Sequence, residues 1–103
     1  MLEYIFELYV AGDGIRSRRA VETLTTMCDE RLAGRYGLAV IDVLEEPERA
    51  EHAKILATPT LLRRAPGPEV RVIGDLTLTR HVLATLDIPD DMAQPERGRQ
   101  SRA

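Results

Sequence analysis

From Tyr4 to Val10 the chain is apolar at every position except Glu7. The run is aromatic and β-branched and too short for a stable helix, so it predicts a central strand buried on most of both faces. Ala11-Gly12-Asp13-Gly14 closes it as a turn cluster. Beyond the turn the period changes. Ala20, Val21, Leu24, Met27, Cys28 and Leu32 recur at steps of three and four, which predicts a helix over residues 17–33. Gly34 stands where a helix end turns left-handed, and residues 38–44 (LAVIDVL) form a second β-rich run. A strand, a helix and a strand on this scale make a βαβ unit, with a right-handed crossover and parallel strands.

The second half has shorter periods. Pro47, behind Glu45 and Glu46, fits the first turn of a brief, charged helix whose inward positions are Ala50, Ala53 and Leu56. Residues 60–64 (TLLRR) and 69–73 (EVRVI) flank Pro66-Gly67-Pro68 as the arms of an antiparallel hairpin. After Gly74-Asp75, Leu78, Val82, Leu83 and Leu86 predict a closing helix that ends before Asp87 and Pro89. The expected order is βαβαββα, an α/β domain over residues 1–88. Residues 89–103 carry two prolines, one glycine, six charges and no branched aliphatic residue. Such a segment cannot offset its ordering entropy by burial and is expected to be a disordered tail.

Composition narrows the function. A chain of 103 residues supports one core. No apolar run approaches membrane-span length, and the start has no basic, apolar leader, so a cytoplasmic protein without membrane contact is expected. A net charge of −3 gives no footprint for nucleic acid. A single cysteine, Cys28, excludes an internal disulfide and a Cys-rich zinc site.

Candidate chemistry is thin. Dithiol oxidoreductases need two cysteines at the start of the first helix, where the dipole lowers the nucleophile's pKa. Here that stretch is Asp13-Gly14-Ile15-Arg16-Ser17, without sulfur. Cys28 lies three turns later on the apolar stripe and reads as a small buried hydrophobe. Gly12-Asp13-Gly14 lacks the lysine of a P-loop and the third glycine of a dinucleotide fingerprint, so a tight turn is the simpler reading. His52 and His81 have no ligand-spaced partners, and Glu45, Glu46, Glu48 and Glu51 fit a solvated helix start. Neither enzyme activity nor a cofactor or metal is expected. In Ala57-Thr58-Pro59-Thr60 the proline lies between a helix and a buried strand. Thioredoxin-like proteins carry a cis proline at this point, which makes Pro59 a candidate. X-Pro bonds are cis in only about 5–6% of cases, so the tetrapeptide alone leaves the isomer open and the element order is what raises the cis form.

Four segments together resemble the KaiB family: Leu8-Tyr9-Val10-Ala11-Gly12, Val40-Ile41-Asp42-Val43-Leu44, Lys54-Ile55-Leu56-Ala57-Thr58-Pro59-Thr60-Leu61 and Ile73-Gly74-Asp75-Leu76. They occur in the family's order without gaps, and the likeness covers about residues 4–88. Departures are Asp13-Gly14-Ile15, where members often have Asn, Thr and Pro, and Pro66-Gly67-Pro68 in place of a proline run. The resemblance implies a non-enzymatic clock adaptor that binds the ADP-loaded N-terminal ring of the KaiC hexamer. It also implies competition with a sensor histidine kinase and, in some systems, capture of KaiA. A KaiB-like signalling module on a sensor kinase or other ATPase outside a clock is the alternative. By the same resemblance Arg19, Lys54 and Arg71 are the basic positions expected to face KaiC.

The family further implies two folds: a homo-oligomeric ground state, dimer or tetramer, with order βαββααβ, and a monomeric thioredoxin-like form that binds KaiC. Local propensity fits such a switch, since residues 60–65 (TLLRRA) include good helix formers and residues 82–88 (VLATLDI) suit strand or helix. Thr85 and Asp87 are the expected switch positions. Many relatives have glycine where this chain has Thr85, which removes a helix-interior penalty of about 1 kcal/mol and tilts the balance toward the thioredoxin-like form.

Overall fold

A computed structural model describes residues 2–74, 76, 79–86 and 88. Four strands and three helices follow in the order β1 (Tyr4–Val10), α1 (Ile15–Arg31), β2 (Tyr36–Asp42), α2 (Pro47–His52), β3 (Thr60–Ala65), β4 (Val70–Ile73) and α3 (Thr79–Thr85). This is the βαβαββα order that the periodicities predict. The strands form one mixed sheet in the order β2-β1-β3-β4. β1 runs parallel to β2 from Tyr4↔Tyr36 to Val10↔Asp42, and antiparallel to β3, which pairs antiparallel with β4. The most continuously apolar segment is therefore a central strand.

Several boundaries differ from the predicted ones for local reasons. α1 starts at Ile15 and stops at Arg31, because Leu32 leaves helical geometry (φ −132°, ψ 32°) while its N–H still reaches the Cys28 carbonyl at 2.6 Å. Gly34 follows at φ +75°. β2 begins at Tyr36 and ends at Asp42 rather than spanning 38–44, in step with the seven residues of β1. Val43 and Leu44 enter a turn in which the Asp42 carbonyl accepts from the Glu45 and Glu46 amides. Leu56, expected on the inward side of α2, is 95% exposed. The helix ends at His52, four residues before it.

Side-chain alternation splits the core in two. Tyr4, Phe6, Leu8 and Val10 of β1 face α1 and α3, packing with Leu24, Met27, Cys28, Leu61, Val82, Leu83 and Leu86. Tyr9, Ile41, Leu62 and Ala53 make a smaller cluster on the other face, with Val43 and Ile55 at its margin. α2 is the only helix over that face among the described residues. Each apolar side chain fully buried contributes about 1.5–3 kcal/mol, so most of the stabilisation lies on the α1/α3 side. The tail and Asp87 lie outside the described residues, whereas Thr85 is half-buried at the end of α3.

Candidate functional site

The chain segment that follows α2 carries the least satisfied apolar surface. The Ile55 amide reaches back to the Ala50 carbonyl at 2.9 Å, and the Lys54 amide to the Glu51 carbonyl at 3.0 Å. These two bonds form a Schellman closure with Lys54 at the left-handed position, φ +58°. Glycine is favoured at such a site, and a side chain there costs roughly 1–2 kcal/mol. The closure turns Leu56 outward and puts Lys54 on the rim of an open groove of about 730 Å3. Val43, Pro47, Ala50, Ile55, Leu56 and Ala57 supply its apolar lining.

Three further contacts fix the surroundings. Arg71 crosses from β4 beneath the closure, donating from Nη2 to the Ala53 carbonyl at 3.0 Å and from Nη1 to the Lys54 carbonyl at 3.2 Å. Its Nη2 also meets Glu69 Oε2 at 3.0 Å, and this hydrogen bond lowers the Glu69 carboxyl below its ordinary pKa. At the far end Arg16 Nη2 donates to the Thr58 carbonyl at 3.2 Å, tying the start of α1 to the loop. Asp42 Oδ1 accepts from the Gly12 and Leu44 amides, both at 2.9 Å, and so joins the turns after β1 and β2. Gly12 sits at φ +78°, where a Cβ would come within 3.5 Å of Leu44 Cδ1.

Of the three basic positions singled out in the sequence, Lys54 and Arg71 come together at the closure of α2. Arg19 does not join them. It is exposed on α1, the helix covering the opposite face of the sheet. The sequence reading missed Arg16, Asp42 and the outward turn of Leu56. An aspartate ending an otherwise apolar strand was the available signal for Asp42.

The Thr58–Pro59 peptide is cis, as are Ala65–Pro66 and Gly67–Pro68. Pro59 is buried next to a small cavity of about 90 Å3 that it shares with Arg16, Ser17 and Thr58. Ser17 donates its hydroxyl to the Ala11 carbonyl at 3.2 Å. Cys28 is fully buried in the main core, and burial, helped by Asp29, pushes its thiol up to about 12. It stays a thiol at neutral pH and cannot serve as a nucleophile from there. Among the described residues no helix is long and apolar enough to cross a membrane, and no group of three His, Cys, Asp or Glu could hold a metal ion.

Solved structures similar to this one are thioredoxin-like. They include the N-terminal domain of Synechococcus elongatus SasA, with TM-score 0.67 and 23% identity over 84% of this chain and 86% of that one. Mitochondrial thioredoxin 3 of Saccharomyces cerevisiae gives TM-score 0.66 and 18% identity over 85% and 81%. At these identities the likeness establishes the thioredoxin-like fold alone. Sequence relatives go further. The circadian clock oscillator protein KaiB of Gloeothece citriformis is 47% identical over 91 residues, 88% of this chain and 86% of that protein. The circadian clock protein KaiB3 of a Synechocystis species is 43% identical over 88 residues, 85% and 86% of the two chains. The KaiB domain itself matches residues 7–88, a span that runs from β1 through α3 and takes in the whole groove, and on these grounds the chain belongs to the KaiB family.

Proposed function

We propose that this chain is a clock adaptor without catalytic activity, which binds the KaiC ATPase ring and thereby regulates its phosphorylation cycle and output signalling. The observation that carries the reading is the groove beside α2. An almost fully exposed leucine, Leu56, and a lysine held in a left-handed conformation stand together on the rim of an apolar cleft. Exposed apolar surface rimmed by polar groups marks interaction sites, and conformational strain is kept where a position is needed for something other than folding.

In this reading Leu56 and its apolar neighbours seat on KaiC, while Lys54 pairs with a carboxylate across the interface. Arg71 acts mainly from below, through the carbonyls it holds, and Arg19, on α1 across the sheet, lies outside this contact. Free protein and bound protein differ in fold, with the segment around Thr85 and Asp87 adopting a strand in a homo-oligomeric ground state. A slow change of fold delays complex formation.

The test is co-elution of the purified chain with the KaiC encoded in the same genome, in ADP and in ATP, followed over hours. Slow, nucleotide-dependent binding that Lys54→Glu weakens at least tenfold is expected. No binding in either nucleotide over a day, with a folded sample, contradicts the reading and leaves the signalling module outside a clock as the better account.

A further inference from the structure

β3 carries two consecutive arginines with opposite fates. Alternation sends Leu62 and Arg64 to the α2 face, where Arg64 is satisfied near the surface by Glu7 at 2.9 Å and Glu69 at 2.5 Å. Leu61 and Arg63 point to the α1/α3 face, and Arg63 is only 5% exposed in the midst of the main core. Among the described residues no carboxylate pairs with it. Its charge is met by two backbone carbonyls: Nη1 donates to Leu86 at the end of α3, and Nη2 to Pro68 in the β3–β4 turn at 3.3 Å. Nε is buried without a partner.

A buried cation is costly unless it is paired. Here the compensation comes from the carbonyl end of a helix, where backbone acceptors lack intrahelical partners and partial negative charge accumulates. Arginine's planar fork can bridge two carbonyls from different elements, which the single ammonium of lysine does poorly. The arrangement makes the polar balance of the core depend on where α3 sits. With α3 docked, Arg63 has two acceptors. With α3 away from the sheet, it keeps one and its site opens to water.

We propose that Arg63 is the latch that docks α3 on the sheet, selecting this packing over others that the same segments could adopt. Leu61, Val82 and Leu83 supply apolar adhesion that is indifferent to small shifts of the helix, whereas the guanidinium accepts one placement of the Leu86 carbonyl. The latch is a property of the free chain. Only its consequence, that Arg63 sets how much of the protein stands in the KaiC-binding form, rests on the function proposed above.

Hydrogen exchange of the free full-length protein, read amide by amide by NMR, tests it. The reporting amides are Leu86 and Ile88, bonded to the Val82 and Leu83 carbonyls at 2.9 Å, with Phe6 and Leu8 in β1 as the reference. Arg63→Met keeps an apolar body of similar length without the fork. It is expected to lower protection at Leu86 and Ile88 at least tenfold with Phe6 and Leu8 unchanged, and Arg63→Lys to fall between. Unchanged protection at Leu86 and Ile88 in the two variants, or an equal loss at Phe6 and Leu8, overturns the latch. Should Arg63→Met not fold, Arg63→Lys alone decides by the same comparison. Because KaiC is absent from the measurement, a failure of KaiC binding in the wild-type chain would show separately.

Discussion

The two faces of the sheet are covered very differently. On the α1/α3 side four alternate residues of β1 meet two helices, and Phe6, Leu8, Leu61 and Leu86 are wholly excluded from solvent. On the other side one six-residue helix and the Ala53 that caps it lie over Tyr9, Ile41 and Leu62, and the chain then leaves Leu56 95% exposed. Stability is concentrated on one face, and the most exposed large apolar side chain, Leu56, lies on the other. A second protein could therefore add to the thin face without disturbing what holds the fold together, as the proposed adaptor role requires.

Substitutions can break that comparison. Leu61→Ala on the thick side and Leu62→Ala on the thin side delete the same atoms from adjacent, wholly buried positions of β3, and the first should fall toward the upper and the second toward the lower end of about 2–5 kcal/mol. Denaturant unfolding measures the two, and equal costs would erase the distinction. Asp42→Ala leaves the Gly12 and Leu44 amides without their acceptor. A loss of about 1–3 kcal/mol is expected, measured by the same unfolding. Lys54→Gly relieves the left-handed side chain and should raise stability by about 1 kcal/mol while weakening KaiC binding. A gain in stability with a loss of binding is the signature of a residue kept for its surface role.

The smallest effect is on pH dependence, and it belongs to the thick side. Burial raises Cys28 from 9.0 to about 12, and the hydrogen bond from Tyr36 to Asp29, 2.7 Å long, raises Tyr36 from 10.0 to about 12. Each group holds its proton in the native state after the unfolded chain has released it. The stability they contribute is fully present below about pH 9 and is lost as the pH rises toward 12. Thermal unfolding from pH 8 to 11 should show this decline, flattened in Cys28→Ala and, to a lesser degree, in Tyr36→Phe. Tyr36 is only half-buried, so screening reduces its share.

Much of this architecture was legible in the sequence because it rests on periodicity. The continuous apolar run of β1, the helical stripe from Ala20 to Leu32 and the turn at Pro66-Gly67-Pro68 each have a single local reading. Segments governed by backbone hydrogen bonds were not legible. The reach of the Ile55 amide to the Ala50 carbonyl ends α2 early and turns Leu56 out, and no pattern of residue types encodes that bond when lysine occupies the place of glycine. Arg63 was hidden for a related reason. Two adjacent arginines read as surface charge, and only the register of β3 against β1 and β4 separates the one that is buried. The three basic positions expected to face a partner divided similarly: Lys54 and Arg71 share the closure of α2 through backbone carbonyls, and Arg19 lies across the sheet.

The most direct test of the account places one charge on each face. Leu56→Asp on the thin side and Thr26→Asp on the exposed surface of α1 are compared for co-elution with KaiC in ADP, after hours of incubation, with unfolding measured on the same samples. The account predicts that Leu56→Asp reduces binding at least a hundredfold at unchanged stability, while Thr26→Asp binds like the original chain. Full binding by Leu56→Asp, or an equal loss in the two variants, would contradict it and move the partner surface away from the groove beside α2.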